Sequence, residues 1–440
     1  MNADSGPPRE PLLPGHSPED VMSRLNAEEA AKLLGVKVTT VYAYASRGLL
    51  RSVSDEQDSR RRLYYESEVE QLKRRGEAHR GDMPAAAGAL DWGAPVLETA
   101  ISAITPAGPK YRGHIARTLA REGRAFEEVV SLLWSGDFEK VTATSNRSHH
   151  TGQEVSSSAF LPPTFEDGAG VLDTLDVLRL ALLREGLMDM TRFVPTEQAQ
   201  WRCGWRAIRA AVNAVSSVHH STEQSGEESL AGALLAAWRE GDVREVDVAA
   251  LNAALILVAD HELNASTFAA RVAASTGADL YACIGAALAT FTGPRHGGAS
   301  ARAEALFKEI DALGSPERVL MGMLRRGEQR PAGLDHHLYP HGDPRAVVIL
   351  EILEDVPGAD AARERYHDLA LAAESMGLGK PNLDTALATL ARGLQLPTGS
   401  ASVIFAIGRM AGWVAHAIEQ RDAAQLLRPR ARYIGPAHPA

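Results

Sequence analysis

The segment Val246–Val258 constrains the fold more than any other part of this sequence, because it is apolar on nearly every side. Such a helix has no face to offer to solvent, so it belongs at the centre of a large helical domain. Helix-like patterns rich in Ala and Leu run from about residue 94 to the end of the chain, and no βαβ alternation is visible. We therefore predict a mainly α-helical protein, with further helices over Leu172–Glu185, Ala207–Val218 and Leu230–Trp238.

Length, charge and cysteine content limit the functions that this chain can have. A chain of 440 residues predicts two or three domains, and a net charge of −10 argues against nucleic-acid binding by the whole surface. Cys203 and Cys283 lie far apart without a neighbouring Cys or His cluster, which disfavours a disulfide framework or a thiolate zinc site. No signal peptide and no run of about 18 apolar residues is visible, so we expect a cytoplasmic protein without a membrane partner.

The first part of the chain differs in character from the rest. Residues 1–22 are rich in Pro and are predicted to form a disordered tail, while residues 79–93, rich in Gly, Ala and Pro, are predicted to be a linker. Between them, residues 23–78 form a compact pattern of their own. The stretch 23–75 carries 11 Lys/Arg and 8 Asp/Glu, so it is locally basic within an acidic chain.

This compact pattern begins with a predicted helix over Ala27–Leu34, which Gly35 ends, and continues with a second helix over about Thr39–Ser46. A basic, strand-like run follows at Arg60–Tyr65. The order of these elements resembles the winged helix-turn-helix of mercury-resistance-type regulators and phage excisionases.

The resemblance implies that DNA is a partner of residues 23–78. The second helix would then contact a major groove through Thr39, Thr40 and Tyr42, and the basic run would grip phosphates. The phosphate contacts would come from three consecutive arginines: Arg60, Arg61 and Arg62. The alternative is a helical adaptor that keeps this fold without binding DNA.

Three later stretches interrupt the helical pattern with polar groups. Ala259–Thr267 places Asp, His, Glu and Asn directly after the apolar helix, which costs desolvation energy unless these groups are hydrogen-bonded. Thr292–Ala299 surrounds His296 with Pro and three Gly residues, which predicts a tight turn exposing an imidazole before a helix at Ser300–Leu313. Gly333–Arg345 is a third such loop. Each alone is also explained by an ordinary polar helix end or loop.

Together and in this order, these stretches resemble the citrate synthases. Three more stretches complete the pattern: Lys380–Asp384, Ser402–His416 and Arg428–Gly435. The likeness extends over roughly Leu90–Ala440 and is strong from Leu255 onward. It implies an all-α, two-domain fold, with a large domain over residues 94–308 and 399–440 and a small one over 309–398 that closes on the substrates.

The resemblance also implies roles for five side chains in condensing acetyl-CoA with oxaloacetate. Asp384 would take the proton from the acetyl methyl group, and we expect its carboxylate to stay ionised at a helix start. His296 would donate a hydrogen bond to the enolate oxygen, and His336 would protonate the oxaloacetate carbonyl. His261 and Asn264 would help to bind oxaloacetate.

Guanidinium groups match the two carboxylates of oxaloacetate in bidentate fashion. The resemblance assigns this task to Arg345 and Arg409, and to Arg428 from a neighbouring subunit, so a homodimer or higher even oligomer is expected. Acetyl-CoA enters as a substrate, and no metal or redox cofactor is required.

The sequence departs from the family's pattern at several positions. Asp335 replaces a small residue beside His336 and is expected either to raise the pKa of that imidazole or to crowd the loop. Val258 stands where many members have a His, Ser300 replaces a common Asn, and Thr385-Ala386 replace an aromatic pair after Asp384. Two alternatives therefore stay open: a 2-methylcitrate synthase that uses propionyl-CoA, and a DNA-binding regulator whose condensing domain senses oxaloacetate, citrate or acyl-CoA.

Overall fold

The computed structural model describes residues 24–46, 50, 52–54, 62–65, 68–69, 72, 96–141, 173–219, 229–239, 243–328, 330–431, 433 and 435. The chain separates into two compact units, Met1–Glu98 and Thr99–Ala440. The tail predicted at residues 1–22 and the linker predicted at 79–93 lie outside the described residues. The division of the helical region into a large and a small domain stays a prediction.

The first unit combines two helices with a small antiparallel sheet. Its elements in chain order are strand Arg24–Asn26 (β1), helix Ala27–Leu34 (α1), helix Val38–Ser46 (α2), strand Ser52–Ser54 (β2) and strand Arg62–Tyr65 (β3). The strand order is β1-β3-β2, with Arg24 opposite Tyr65 and Ser52 opposite Tyr64. Both helices predicted in this segment are confirmed.

Local chemistry explains where α1 begins and ends. The Asn26 side chain accepts hydrogen bonds from the amides of Glu28 and Glu29, and Glu29 reaches back to the Asn26 amide. At the other end Gly35 adopts a left-handed conformation (φ 65°), which glycine reaches without steric cost. The unit has its own apolar core, formed by Ala30, Ala31, Leu34, Val41, Leu50, Tyr64 and Val69.

The second unit begins with a three-stranded antiparallel sheet, whereas the sequence pattern predicted helices throughout. The strands are Ser102–Thr105 (β4), Gly108–Tyr111 (β5) and His114–Ile115 (β6), in the order β4-β5-β6. The prediction was wrong here because strands of two to four residues are too short to show a period. The turn glycines Gly108 (φ 103°) and Gly113 (φ 98°) were the available signal.

The rest of the second unit is helical. The helices in its described part are Ala116–Arg121 (α3), Phe126–Ser135 (α4), Thr174–Met188 (α5), Glu197–Val218 (α6), Leu230–Trp238 (α7), Glu245–Val258 (α8), Ala265–Ser275 (α9), Leu280–Phe291 (α10), Gly298–Leu313 (α11), Pro316–Arg325 (α12), Pro344–Ile352 (α13), Asp360–Ser375 (α14), Leu383–Gly393 (α15) and Ser400–Asp422 (α16). The helices predicted from periodicity are all present. The one predicted at Ala207–Val218 begins ten residues earlier, where Thr196 caps α6.

Two buried helices form the centre of this unit. The last six residues of α8, Ala253–Val258, are at most 2% exposed, which confirms the prediction of a central apolar helix. Helix α16 packs against it and against α9 and α10. By length and composition α16 could cross a membrane, but its apolar stretch is completely buried inside the protein, as in the core helix of a soluble fold. Polar residues of the candidate site lie on α16 and in the turn directly after α8.

Candidate active site

The turn after α8 carries the first group of polar side chains, and the unpredicted sheet holds it in place. Tyr111 of β5 is fully buried, and its hydroxyl donates to the carbonyl oxygen of Ile256 (3.0 Å) and accepts from the amide of Asp260 (3.2 Å). The Asp260 carboxylate accepts from Ser102 of β4 and lies 3.3 Å from Nε2 of His416 on α16. These contacts fix the backbone that presents His261.

His261 is buried and faces the third polar stretch. Its Nε2 atom lies 3.0 Å from the hydroxyl of Tyr339, and its ring centroid is 5.7 Å from that of His336. Burial lowers the pKa of His261 well below its usual value, and the positive charges of Arg345 and Arg409 lower it further. The imidazole is therefore neutral at physiological pH.

His336 lies in a loop whose geometry fixes its tautomer. Asp335 adopts a left-handed conformation (φ 58°), and its carboxylate accepts from the His336 amide (2.8 Å). The amide of Leu338 donates to Nδ1 of His336 (3.1 Å), so the proton of the neutral ring is on Nε2. That Nε2 lies only 3.4 Å from NH2 of Arg345. Two donors thus lie next to each other, an arrangement in which one acceptor oxygen can bridge both from the side.

Asp335 raises the pKa of His336, as expected, but other groups decide the net direction of the shift. Burial and the charge of Arg345 lower this pKa to about 4, although Asp343 and Asp335 act in the opposite direction. Desolvation of the imidazolium outweighs an exposed carboxylate, since solvent screens the latter.

Arg345 and Arg409 are buried cations with different partners. The Asp343 carboxylate holds Arg345 through Nε (2.9 Å) and NH2 (2.7 Å). Arg409, on α16, donates from Nε to the Val258 carbonyl oxygen (2.6 Å), but its NH2 has no partner among the described residues. Burial lowers the pKa of Arg409 to about 10, so it stays charged at pH 7. A buried guanidinium with an open nitrogen is suited to bind an anion.

Asp384 lies in the first turn of α15, which Asn382 caps. Its Oδ1 accepts from the hydroxyl of Ser300 on α11 at 2.5 Å. Burial raises the pKa of Asp384 to about 6, against the lowering effects of Ser300 and Arg345. The carboxyl is still mostly ionised at pH 7, as expected, but desolvation brings its pKa close to neutrality.

His296 is mostly buried, whereas the sequence predicted an exposed imidazole. Its ring packs 5.2 Å from Phe291, and its Nε2 lies 2.7 Å from the hydroxyl of Ser266. Burial, and then the charge of Arg409, lower its pKa to about 4. A side chain at Gly297 would overlap the Phe291 ring, so glycine is needed for this approach.

The structure brings most of the predicted residues together. His261, His336 and Arg345 are in direct proximity, and the charges of Arg345 and Arg409 both act on Asp384. Asn264 is connected to this group only indirectly. Its side chain caps α9 and accepts a hydrogen bond from Ser266, whose hydroxyl lies next to His296. Arg428 lies apart from these contacts, exposed in the segment after α16.

Several residues that complete this arrangement were not predicted. They are Tyr111, Asp260, Ser266, Tyr339, Asp343 and His416. Five of them lie within the polar and family-like stretches identified in the sequence, so proximity in sequence was a usable signal for those. Tyr111 offered none, because it comes from the sheet that the pattern missed.

Four of the residues predicted to contact DNA are described by the structure, and three of them are exposed. Thr39 and Tyr42 on α2 are exposed, Tyr42 by 51%, and Thr40 is half-buried. Arg62 on β3 is exposed, while Arg60 and Arg61 lie outside the described residues.

Fold and site together define a helical enzyme that combines neutral imidazoles, a carboxyl group of raised pKa and buried guanidinium groups. Comparison with known proteins names the family. The family described as citrate synthase, C-terminal domain, matches residues 89–430, and a helix-turn-helix domain family matches residues 24–77. The chain therefore belongs to the citrate synthase family; it is an acyltransferase of that type with an N-terminal helix-turn-helix domain.

Individual proteins similar to this chain are citrate synthases or 2-methylcitrate synthases. Citrate synthase 2 of Bacillus subtilis is 30% identical over 334 residues, covering 72% of this chain and 87% of its own length. A 2-methylcitrate synthase of Shewanella oneidensis is 29% identical and covers 77% and 92%. A solved citrate synthase of Thermoplasma acidophilum, in a ternary complex with carboxymethyl coenzyme A and oxaloacetate, is 25% identical with a TM-score of 0.67, covering 79% of this chain and 95% of that one.

Proposed function

We propose that this enzyme condenses acetyl-CoA with oxaloacetate to give citrate and CoA. The observation that carries this proposal is the pair of donors, Nε2 of His336 and NH2 of Arg345, which lie 3.4 Å apart. A third donor is available from Arg409, whose buried NH2 has no partner among the described residues and whose charge, like that of Arg345, acts on His261. A small dianion with a carbonyl group would supply acceptors to all three.

Oxaloacetate would bind through its carboxylates to Arg345 and Arg409, with His261 against it. Arg345 is already held by Asp343, so little freedom is lost when it binds the ligand. The neutral ring of His336 would direct its Nε2 proton at the carbonyl oxygen. A neutral donor suits this step because it gives its proton only as negative charge develops on that oxygen.

Acetyl-CoA would lose a methyl proton to the Asp384 carboxylate, and the C–H electron pair would become the enolate. His296 would stabilise the enolate oxygen as a hydrogen-bond donor. For Nδ1–H to be this donor, Nε2 must accept the single proton of Ser266, which in the catalytic state is then not donated to Oδ1 of Asn264. The indole of Trp413 donates to the same hydroxyl oxygen (3.0 Å) and supports that orientation.

Attack of the enolate carbon on the oxaloacetate carbonyl forms the new C–C bond, and His336 protonates the resulting alkoxide. Water then cleaves the thioester and releases CoA. We propose that no metal or redox cofactor takes part, because guanidinium and imidazole groups supply the charges and protons that these steps need.

Propionyl-CoA is the alternative acyl donor, and the product would be 2-methylcitrate. The relevant departure from the family, Thr385-Ala386, is fully buried, and the Thr385 hydroxyl donates to the Gly333 carbonyl oxygen (2.6 Å). This residue therefore supports the loop of His336. A comparison of kcat/KM for the two acyl-CoA substrates distinguishes the alternatives.

A thiol-release assay with oxaloacetate and acetyl-CoA tests the main proposal. We expect Asp384→Asn to lower kcat by at least about 100-fold, because the base is removed while the shape of the side chain is kept. Asp355→Asn, which changes an exposed carboxylate outside the site, serves as the control. A wild-type protein that binds oxaloacetate but releases no CoA would instead favour the sensing regulator.

We further propose that the functional unit is a homodimer. Helix α5 and the segment after it expose a set of large apolar side chains: Leu180, Leu183, Leu187, Met188, Met190, Phe193 and Val194. Single exposed apolar residues are common, but a continuous group of this kind marks an interface. A second copy would cover this face and would bring its own Arg428 to the site.

The dimer predicts the effect of two substitutions on this face. Leu183→Glu with Leu187→Glu should give a monomer in analytical ultracentrifugation, since two charges would be buried without partners. The monomer should bind oxaloacetate at least about ten-fold more weakly because it lacks one guanidinium group. Leu371→Glu, at a leucine 68% exposed on α14, is the control. A dimeric double variant would contradict the assignment of this face.

A further inference from the structure

The hydrogen bond between Ser300 and Asp384 assigns a task to a residue that departs from the family's common pattern. Ser300 is completely buried in the first turn of α11, and its hydroxyl donates to Oδ1 of Asp384 at 2.5 Å. A hydroxyl has a single proton, so this bond commits it to the carboxylate. In the described part of the chain, no hydrogen bond is made to the other oxygen, Oδ2.

We propose that Ser300 is a positioning residue for the condensation: its hydroxyl fixes Oδ1 of Asp384 and leaves Oδ2 as the oxygen that takes the methyl proton. This inference rests on the proposed role of Asp384 as the base. In the step itself the C–H proton moves to Oδ2, the C–H electron pair becomes the enolate, and Ser300 keeps its own proton throughout.

The remaining contacts of Asp384 explain why a side-chain donor is needed. The Asp384 amide donates to Oδ1 of Asn382 (2.9 Å), and the Asn382 side chain donates to the Asp335 carbonyl oxygen (2.8 Å). These bonds fix the backbone of the helix start but leave the orientation of the carboxylate free. Ser300 is the group that sets this orientation, and it does so from a different helix.

The same hydrogen bond favours the ionised form of the base. Burial is the largest effect on Asp384 and raises its pKa, while the Ser300 hydrogen bond is the largest effect that lowers it. The charged groups that act on Asp384 from the packed elements are Arg345 of α13, Asp343 at the cap of that helix, and Arg409 of α16. From α14, the hydroxyl of Tyr366 donates to the Pro381 carbonyl oxygen, three residues before Asp384.

The test compares four proteins: the wild type, Ser300→Ala, Ser300→Thr and Ser131→Ala. Ser131→Ala is the matched control, because Ser131 is also completely buried in this unit and its hydroxyl donates elsewhere, to the Asp137 carbonyl oxygen (2.6 Å). The measurements are kcat and KM for oxaloacetate between about pH 5 and 9, together with the melting temperature.

We expect Ser300→Ala to lower kcat at pH 7 by roughly 10- to 100-fold and to move the pH at which kcat is half-maximal upward by about one unit. KM for oxaloacetate and the melting temperature should match those of Ser131→Ala. Ser300→Thr, which keeps the hydroxyl, should restore the wild-type pH midpoint. A wild-type pH profile in Ser300→Ala, or a fall in kcat without a moved midpoint, would overturn the inference.

Failure of the proposed function gives a different result. In that case the wild type itself releases no CoA, and titration of the Asp384 carboxyl by carbon-13 NMR, identified with Asp384→Asn, replaces the kinetic readout. A Ser300→Ala protein whose Asp384 titrates as in the wild type would overturn the positioning role. An upward move in its midpoint would support that role whatever the reaction.

Discussion

At the scale of single residues, burial decides the protonation state of each proposed catalytic group. It lowers the pKa of His296 and His336 to about 4 and raises that of Asp384 to about 6. Both imidazoles are therefore neutral donors at pH 7, and the carboxyl is a base poised close to neutrality. The same desolvation that suits the chemistry also weakens the fold, because an ionised Asp384 is unfavourable where it lies.

This trade-off predicts that Asp384→Asn stabilises the protein while it removes activity. The folded-state pKa lies above the ordinary value, so the ionised group costs stability above about pH 6 and costs nothing below the pKa of the unfolded chain. We expect a gain on the order of 2 kcal/mol at pH 8, measured by denaturant unfolding. The gain should shrink as pH falls through 6. A gain that is independent of pH would contradict this origin.

At the scale of secondary-structure elements, close packing between α8 and α16 builds the site. A side chain at Gly408 would lie 2.9 Å from the Leu255 carbonyl oxygen, and one at Gly412 would lie 2.6 Å from that of Ala259 and overlap the Asp260 carboxylate. The two glycines let α16 approach near enough for Arg409 to reach Val258. They thereby join the guanidinium of Arg409 to the end of α8, next to the turn that carries His261.

Replacement of one of these glycines should therefore damage the fold. We expect Gly412→Ala to cost about 3 kcal/mol or more in the free energy of unfolding, since the backbone of α8 and its turn must move apart. Gly285→Ala in α10 is a matched control, because no atom lies within 4 Å of its new Cβ. That variant should be neutral or gain about 0.5–1 kcal/mol from its lower unfolded-state entropy. Equal effects of the two substitutions would refute the packing argument.

At the scale of the whole molecule, the two units have separate apolar cores. The core of Met1–Glu98 and the core of Thr99–Ala440 share no residue. Each unit can therefore be considered by itself. The helix-turn-helix unit presents Thr39 and Tyr42 to solvent, and we propose DNA as its partner.

Deletion of residues 1–78 should then leave condensation unchanged, because every residue proposed for catalysis belongs to the second unit. The truncated protein should keep the kcat and KM of the full chain and should lose any retardation of promoter DNA in a gel-shift assay. Retardation by the full chain should weaken steeply as salt rises, as expected for phosphate contacts. Loss of CoA release on truncation would contradict the independence of the two units.

The sequence by itself determined the helices and the identity of the polar groups. Periodicity predicted α8, and Gly35 marked where α1 ends, because these signals depend on neighbours along the chain. The order of the motifs likewise predicted His261, His296, His336, Arg345, Asp384 and Arg409 as one group. Such patterns are local or ordered along the chain, so they are visible without coordinates.

Tertiary structure alone decided the protonation states and the partners. Ser300 meets Asp384, and Tyr111 holds the turn of His261, across separations of 84 and about 150 residues that no local pattern encodes. A pKa depends on desolvation and on every charge nearby, whatever its position in the sequence. For that reason the sequence pointed to Asp384, His296 and His336 but did not reveal how far burial moves their pKa values.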